Sequence, residues 1–307
     1  MKAFHLLSPK TQGILWIIST KLSFVVMMLI VKEMSAYSSL QMNLIRGLLV
    51  MSVVFPILLR KGKKSFVTEW PLHQLIRVVL GFIAMVSFFY AYRILPMAKA
   101  SALNFSFALV LPIFAFFFLK ETVKLRRWIV LIVGYIGVLI VIDPSFYGFD
   151  WAEGVMILGV VCLAGDALQV KRIKTDSPYT MTFYSAGMTI FLLGTYFVLP
   201  LFFPSLKGEV FIPWEPIQEQ HYFILGAMGA VAFFGHYSYI HAYRLNRLNF
   251  VAGFDYLKVV FATLSGLIFF GEIPEWNTLM GGAIILGCSY FLMRQEKQIF
   301  AEERHGG

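Results

Sequence analysis

Ten apolar stretches of about 20 residues follow one another through this chain of 307 residues. That length is what an α-helix needs to cross the hydrocarbon core of a bilayer. Apolar residues make up 59% of the sequence and charged residues 14%, whereas soluble domains average about 45–50% and about 25%. We therefore predict an all-α membrane protein with ten transmembrane helices, at about 12–32, 38–59, 73–94, 98–119, 127–143, 152–173, 180–202, 221–243, 250–271 and 276–294.

The connections between these stretches are too short to hold a soluble domain. The longest, 203–220, contains three prolines and is predicted to be irregular. The net charge of +9 does not indicate nucleic-acid binding, because the basic residues lie between apolar stretches and form no basic stripe. Cys162 and Cys288 fall inside apolar stretches, which predicts buried thiols rather than a disulfide scaffold.

The distribution of lysine and arginine predicts the orientation of the chain. With the N-terminus in the cytoplasm, 18 of the 26 basic residues lie in cytoplasmic connections or tails, four in outer connections and four inside helices. Basic residues accumulate on the cytoplasmic side of membrane proteins. We therefore expect both termini in the cytoplasm, with residues 295–307 as a cytoplasmic tail.

Short sequence matches recur at a constant spacing of 151 residues. The matched positions are Ala91-Tyr92-Arg93 with Ala242-Tyr243-Arg244, Asn104 with Asp255, Phe105 with Tyr256, and Glu121 with Glu272. They predict two repeats, 11–143 and 151–294. Five helices per repeat is an odd number, so the second repeat must be inverted relative to the first. Inverted repeats are the architecture of many secondary transporters, whose substrates bind near the bilayer midplane.

With these features the chain resembles the EamA branch of the drug/metabolite transporter superfamily. The resemblance covers about residues 11–294 and rests on the two repeats, on Arg46 in the second helix, and on a glutamate that closes the fourth helix of each repeat. Glu272 stands in a Gly-Glu-Ile-Pro pattern, whereas Glu121 is followed by Thr122 and departs from it.

The resemblance implies a secondary transporter, not an enzyme, that moves a small organic metabolite across a bacterial inner membrane by alternating access. Within the branch the chain is similar to uptake carriers for amino-acid-like metabolites, including S-adenosylmethionine permeases. The sequence leaves open the direction of transport, the coupling proton or exchanged metabolite, and whether the chain forms a homodimer.

Five charged residues lie well inside the predicted helices: Lys21, Arg46, Asp166, Asp255 and Lys258. A charged side chain at the bilayer centre costs about 2.5–3.5 kcal/mol on insertion scales. We therefore expect the five to face the bundle interior and to line one central, hydrated cavity between the halves. Structural ion pairs are the alternative interpretation.

A cavity that carries both signs of charge suits a zwitterionic substrate. Lys21 or Arg46 is expected to hold a carboxylate, and Asp166 or Asp255 the cationic end of the substrate or a coupling proton. The complete set of predicted substrate-binding residues is Lys21, Arg46, Asn104, Asp166, Asp255, Tyr256 and Lys258.

Aromatic residues are abundant, and most are expected to face lipid or the membrane interface. The tyrosines on helices expected to line a cavity are Tyr90, Tyr92, Tyr239, Tyr243 and Tyr256. The pairs Tyr92-Arg93 and Tyr243-Arg244 are expected at opposite membrane surfaces, each arginine reaching headgroups or a helix end. His236 and His241 are five residues apart and point to different faces, so we predict no metal site.

Three other functions remain open. An exporter of the same fold would carry a metabolite or drug outward. An intramembrane aspartyl protease would use Asp166 and Asp255, although their order and flanking residues do not match the motifs of such enzymes. A membrane scaffold would tolerate loss of the interior charges. The sequence has no G-x-x-x-x-G-K-[ST], H-E-x-x-H or G-x-S-x-G motif, so we expect neither a nucleotide nor another cofactor.

The orientation is testable by cysteine accessibility. In a background without Cys162 and Cys288, single cysteines at positions 64 and 124 should react with a membrane-impermeant maleimide only after the membrane is opened, because both positions lie in basic, cytoplasmic connections. A cysteine at position 150, in an acidic outer connection, is the matched control and should react in intact cells. Labelling of position 64 or 124 in intact cells would show the orientation to be wrong.

Overall fold

The structure is a computed structural model that describes residues 9–119, 125–142, 150–202, 212–246, 248, 251, 255–271, 273 and 275–305. Within these ranges the regular structure is helical and contains no strand. The first half of the chain forms α1 (Pro9–Glu33), α2 (Ser39–Lys61), α3 (Pro71–Ile94), α4 (Met97–Asn104), α5 (Phe107–Leu119) and α6 (Leu125–Ile142). The second half forms α7 (Trp151–Arg172), α8 (Pro178–Phe202), α9 (Tyr222–Leu245), α10 (Asp255–Phe270) and α11 (Trp276–His305).

Seven helical stretches within the described ranges are long and apolar enough to cross a membrane. They comprise α1, α2, α3, the stretch Lys99–Leu119, α7, α8 and α9. The chain is therefore a multi-pass membrane protein. The three remaining predicted spans coincide with α6, α10 and α11, and a total of ten spans stays a prediction.

The last helix continues beyond the predicted span. Residues 295–307 are predicted as a cytoplasmic tail, and α11 extends into this segment as far as His305. This segment is polar and contains no proline, and its first glycine is Gly306. Glutamate, lysine, glutamine and alanine are good helix formers, so the backbone continues as a helix after the apolar stretch has ended.

The fourth predicted span is broken rather than continuous. Helices α4 and α5 meet at a turn formed by Phe105 and Ser106. The Ser106 backbone N–H and its hydroxyl both donate to the carbonyl oxygen of Leu103, at 3.0 and 2.7 Å. A serine that bonds locally in this way competes with the regular helical pattern, which explains the break.

The helices pack in pairs that join the two halves. The most extensive contacts are between α3 and α7, α6 and α11, α1 and α9, and α2 and α8. Small residues allow this close approach: a Cβ atom added at Gly159 of α7 would lie 2.8 Å from the Phe88 ring and 2.9 Å from Ser87 Cβ, both on α3. Close backbone approach at small residues is the usual basis of helix association in membranes.

Two polar contacts fasten the loops at one end of the bundle. The Gln41 side chain both donates to the Glu215 carbonyl oxygen (2.7 Å) and accepts from the Glu215 N–H (3.0 Å), so it holds the loop that precedes α9. This loop, 212–218, has no regular structure, as its prolines predicted. At the start of α7 the carboxylate of Glu153 is fully buried and forms an ion pair with Lys99 Nζ at 2.6 Å.

Substitution of Gly159 tests the packing of α3 against α7. Gly159→Ala should lower the stability of the protein by about 1–3 kcal/mol, because the new methyl group overlaps Ser87 and Phe88. Gly226→Ala in α9 is the matched control: apart from its own helix backbone, no atom of the described residues lies within 4 Å of the added Cβ, so stability should stay equal or rise. Thermal unfolding in detergent measures both. Equal stability of Gly159→Ala and wild type would contradict the close packing.

Candidate functional site

A partly open cavity of about 120 Å³ lies in the middle of the bundle. Its walls come from α1, α2, α3 and α5 of the first half and from α7, α8 and α9 of the second half. Ligand pockets are typically lined by apolar and aromatic side chains with a few polar groups. The lining of this cavity fits that description, and its polar groups are few enough to be described singly.

Asp166 of α7 lies on the cavity wall and is held on both carboxylate oxygens. Its Oδ1 lies 3.6 Å from Arg77 Nη1, and its Oδ2 accepts a hydrogen bond of 2.5 Å from the hydroxyl of Tyr239 on α9. The Asp166 side chain is only 4% exposed and that of Arg77 is 0% exposed. The carboxylate is therefore part of a buried ion pair, which is the alternative interpretation that the sequence left open for it.

Arg77 is not among the predicted site residues, yet its buried guanidinium has partners on α3, α7 and α8. Its Nη2 donates to the Met181 carbonyl oxygen (2.5 Å) and the Ser185 hydroxyl (2.9 Å) on α8, and its Nε donates to Gln74 (3.2 Å). Arg77 is the seventh residue of α3, about 10 Å from the helix start, where an arginine could reach the interface by extending its side chain. The sequence signal for a buried role was therefore weak.

Arg46 of α2 also lines the cavity. The residue is 8% exposed, and its Nε donates to no acceptor within the described part of the chain. A buried guanidinium prefers to be bound by an anion or by several acceptors. Arg46 thus differs from Arg77, whose Nε and Nη2 donate to protein acceptors and whose Nη1 faces the Asp166 carboxylate at 3.6 Å.

Lys21 of α1 lines the same cavity and is 5% exposed. Its ammonium nitrogen lies 5.8 Å from the centroid of the Phe107 ring on α5, within the range of a cation–π contact. The structure therefore brings Lys21, Arg46 and Asp166 together in one cavity, although their role in substrate binding stays a prediction.

The remaining predicted residues are not brought to this cavity by the described part of the structure. Asn104 ends α4 and is fully buried, next to the helix break but outside the cavity lining. Asp255, Tyr256 and Lys258 belong to the first turn of α10, and their side chains lie outside the described residues.

Aromatic rings form two groups on the cavity wall. Phe24, Phe88 and Tyr92 contact one another with ring centroids 5.9–6.3 Å apart. In the second group the Tyr239 and Tyr243 ring centroids are 4.5 Å apart. Both groups offer ring faces and edges to a ligand, as aromatic contacts require.

The tyrosines expected on cavity-lining helices lie in different surroundings. Tyr92 and Tyr243 both line the cavity and are 2% and 1% exposed. Tyr90, the other candidate on α3, is 37% exposed and lies outside the cavity lining. Arg244 does reach a helix end, since its Nη2 donates to the carbonyl oxygen of Ile173 that follows α7, at 2.9 Å.

The two histidines of α9 have separate surroundings, as their spacing predicted. His236 lines the cavity and stacks near Tyr239, with ring centroids 5.9 Å apart. His241 stacks on Trp16, with ring centroids 4.9 Å apart. Among the residues that the structure describes, no group of three or more His, Cys, Asp or Glu is placed to hold a metal ion.

Known proteins resemble this chain in sequence and in fold. A S-adenosylmethionine uptake transporter of Rickettsia bellii is 27% identical over 256 residues, covering 82% of each chain. A riboflavin transporter of Vibrio cholerae is 27% identical over 305 residues, covering 96% of this chain and 97% of the other. The pseudopaline exporter CntI of Pseudomonas aeruginosa is 25% identical and covers 93% of this chain and 97% of the other.

A solved crystal structure matches the fold with a TM-score of 0.68 at 15% sequence identity, covering 93% of this chain and 98% of the other. The profile of the EamA-like transporter family matches twice, at residues 11–143 and 150–294, and so accounts for most of the sequence. The resemblance found in the sequence is therefore confirmed, and the chain belongs to the EamA-like transporter family.

Proposed function

We propose that this protein is a secondary transporter that carries a small organic metabolite across a bacterial inner membrane by alternating access. The observation that carries the proposal is the central cavity, because helices of both halves line it and charged side chains are buried in it. A site shared by two halves can be exposed first to one side and then to the other as the halves move.

The pairing of helices supports two inverted five-helix repeats. When α4 and α5 are counted as one span, α1 corresponds to α7 and α3 corresponds to α9. The contact of α1 with α9 then has the contact of α7 with α3 as its equivalent. The same correspondence maps three pairs onto themselves: α2 with α8, α6 with α11, and α4 with α10. Such a pattern is expected for a pseudo-twofold axis between the halves. We therefore propose 11–143 and 151–294 as the repeating units.

Two lysine contacts support the same symmetry. Lys32 at the end of α1 donates to the Leu95 carbonyl oxygen after α3, at 3.0 Å. Lys171 at the end of α7 donates to the Asn246 carbonyl oxygen after α9, at 2.7 Å. Leu95 and Asn246 are 151 residues apart, the spacing found in the sequence. In an inverted repeat the two contacts lie on opposite sides of the membrane. We propose in addition that both termini lie in the cytoplasm.

The proposed substrate is a small metabolite that carries a carboxylate, as amino acids and S-adenosylmethionine do, and the proposed direction is uptake. The relative described as an S-adenosylmethionine uptake transporter supports this choice, whereas the pseudopaline exporter supports export by the same fold. Arg46, which lines the cavity, is the proposed partner of the carboxylate. Because Asp166 already pairs with Arg77 and Tyr239, the cationic end of a zwitterion would depend on Asp255.

Transport by purified protein tests this function. A panel of metabolites including amino acids, S-adenosylmethionine and riboflavin should contain a compound that raises the melting temperature, because a ligand of the native state stabilises it by mass action. That compound should enter proteoliposomes without ATP. Ala232→Phe, which fills part of the cavity, should reduce uptake, whereas Ala230→Phe on the exposed side of α9 should not. A compound that binds without entering would indicate a scaffold or receptor instead.

Substitutions of the Arg77–Asp166 pair test how much this ion pair stabilises the contact between the two halves. Either Arg77→Gln or Asp166→Asn should destabilise the protein by about 3–5 kcal/mol, because each leaves a buried charge without its partner. The double variant should lose less stability than the sum of the losses of the two single variants, because neither buried charge remains. Thermal unfolding of the four proteins gives the coupling energy. Additive losses would show that the pair does not stabilise the junction.

A further inference from the structure

The guanidinium of Arg46 is buried at the cavity without a protein partner for its Nε within the described part of the chain. The other arginine beside the cavity, Arg77, has acceptors on α3 and α8 and a carboxylate on α7. A charged donor in a membrane bundle is unfavourable unless an anion or a set of acceptors satisfies it. The Arg46 guanidinium can therefore bind an anionic group, whereas the Arg77 guanidinium already pairs with protein groups.

The charges around the cavity add to an excess of positive charge. Among the described residues, Lys21, Arg46 and Arg77 are basic and only Asp166 is acidic. In a medium of low dielectric constant such an excess attracts an anion and repels a cation over several ångströms.

The body of the cavity is aromatic. Phe24, Phe88 and Tyr92 form one group of rings, and Tyr239 and Tyr243 belong to the other. Phe107 extends the second group, its ring centroid lying 6.4 Å from that of Tyr243. Flat rings gain from stacked or edge-to-face contacts with such walls, beyond the gain from burial of apolar surface.

We propose that the substrate carries an aromatic or heteroaromatic ring and a net negative charge, and that Arg46 binds its anionic group while the two groups of rings contact its ring. The proposal rests on the transport function proposed above and narrows its substrate class. It differs from the zwitterion expected from the sequence, because the acidic group described in the cavity is already neutralised by Arg77.

Ring compounds matched in pairs test the charge preference. Thermal stabilisation is measured with nicotinate against nicotinamide, orotate against uracil, and indolepropionate against tryptamine, with propionate as the anion that has no ring. The carboxylates with rings should stabilise the wild-type protein, and their neutral or cationic partners and propionate should do so much less. Stabilisation that is equal within the pairs, or greater for the neutral or cationic members, would overturn the proposal.

Substitutions of Arg46 test the residue itself. Arg46→Gln should weaken binding of the preferred carboxylate about 30-fold or more, and Arg46→Lys should bind with intermediate affinity because it keeps the charge but loses the two-pronged fork. Arg126→Gln, at an exposed position of α6, is the matched control and should bind as wild type does. Loss of Arg46 breaks no Nε hydrogen bond in the described part of the protein, so the variants without ligand should unfold near the wild-type temperature.

The outcomes separate this inference from the transport function. Unchanged affinity of Arg46→Gln for the carboxylate would overturn the role of Arg46. A transported compound that is cationic, or that has no ring, would overturn the substrate class and leave the transport function standing. No stabilisation by any compound, from these pairs or from the wider metabolite panel, would overturn both.

Discussion

The buried ion pair between Arg77 and Asp166 is the interaction on which the arrangement of the bundle depends. It joins α3 of the first half to α7 of the second, and further bonds of the same two residues reach α8 and α9. Breaking a buried pair by removal of one partner typically costs about 3–5 kcal/mol, a large fraction of the stability of a folded domain. The pair thus fixes the relative position of four helices at the cavity wall.

This pair also decides the electrostatic character of the cavity. Asp166 would otherwise be an acidic group available to a cationic substrate, but Arg77 and Tyr239 occupy its two oxygens. The basic residues Arg46 and Lys21 also line the wall. A structural contact between helices therefore sets the sign of charge that the cavity favours, even though Arg77 itself is not part of its lining.

Family membership and fold agree with this picture without specifying the substrate. Relatives at 25–27% identity are described as transporters of S-adenosylmethionine, of riboflavin and of pseudopaline, which are chemically different molecules. One architecture therefore serves several substrates. The side chains that face the cavity, rather than the helices that carry them, must account for the difference, and this is why Arg46 and the aromatic groups matter most here.

The sequence by itself determined the membrane class, the family and the positions of most helices, because apolar stretches of about 20 residues have few alternative structures. It also identified Lys21, Arg46 and Asp166 as interior charges, since the bilayer makes an exposed charge unfavourable. Only the tertiary structure decided which charges meet. Arg77 lies near a helix start, where a lipid-facing arginine is also acceptable, and only the packing of α3 against α7 and α8 shows that it is buried. The inward position of Tyr92 and Tyr243 depends in the same way on contacts between segments far apart in the chain. The break between α4 and α5 follows from local bonds of Ser106, and apolar periodicity records neither feature.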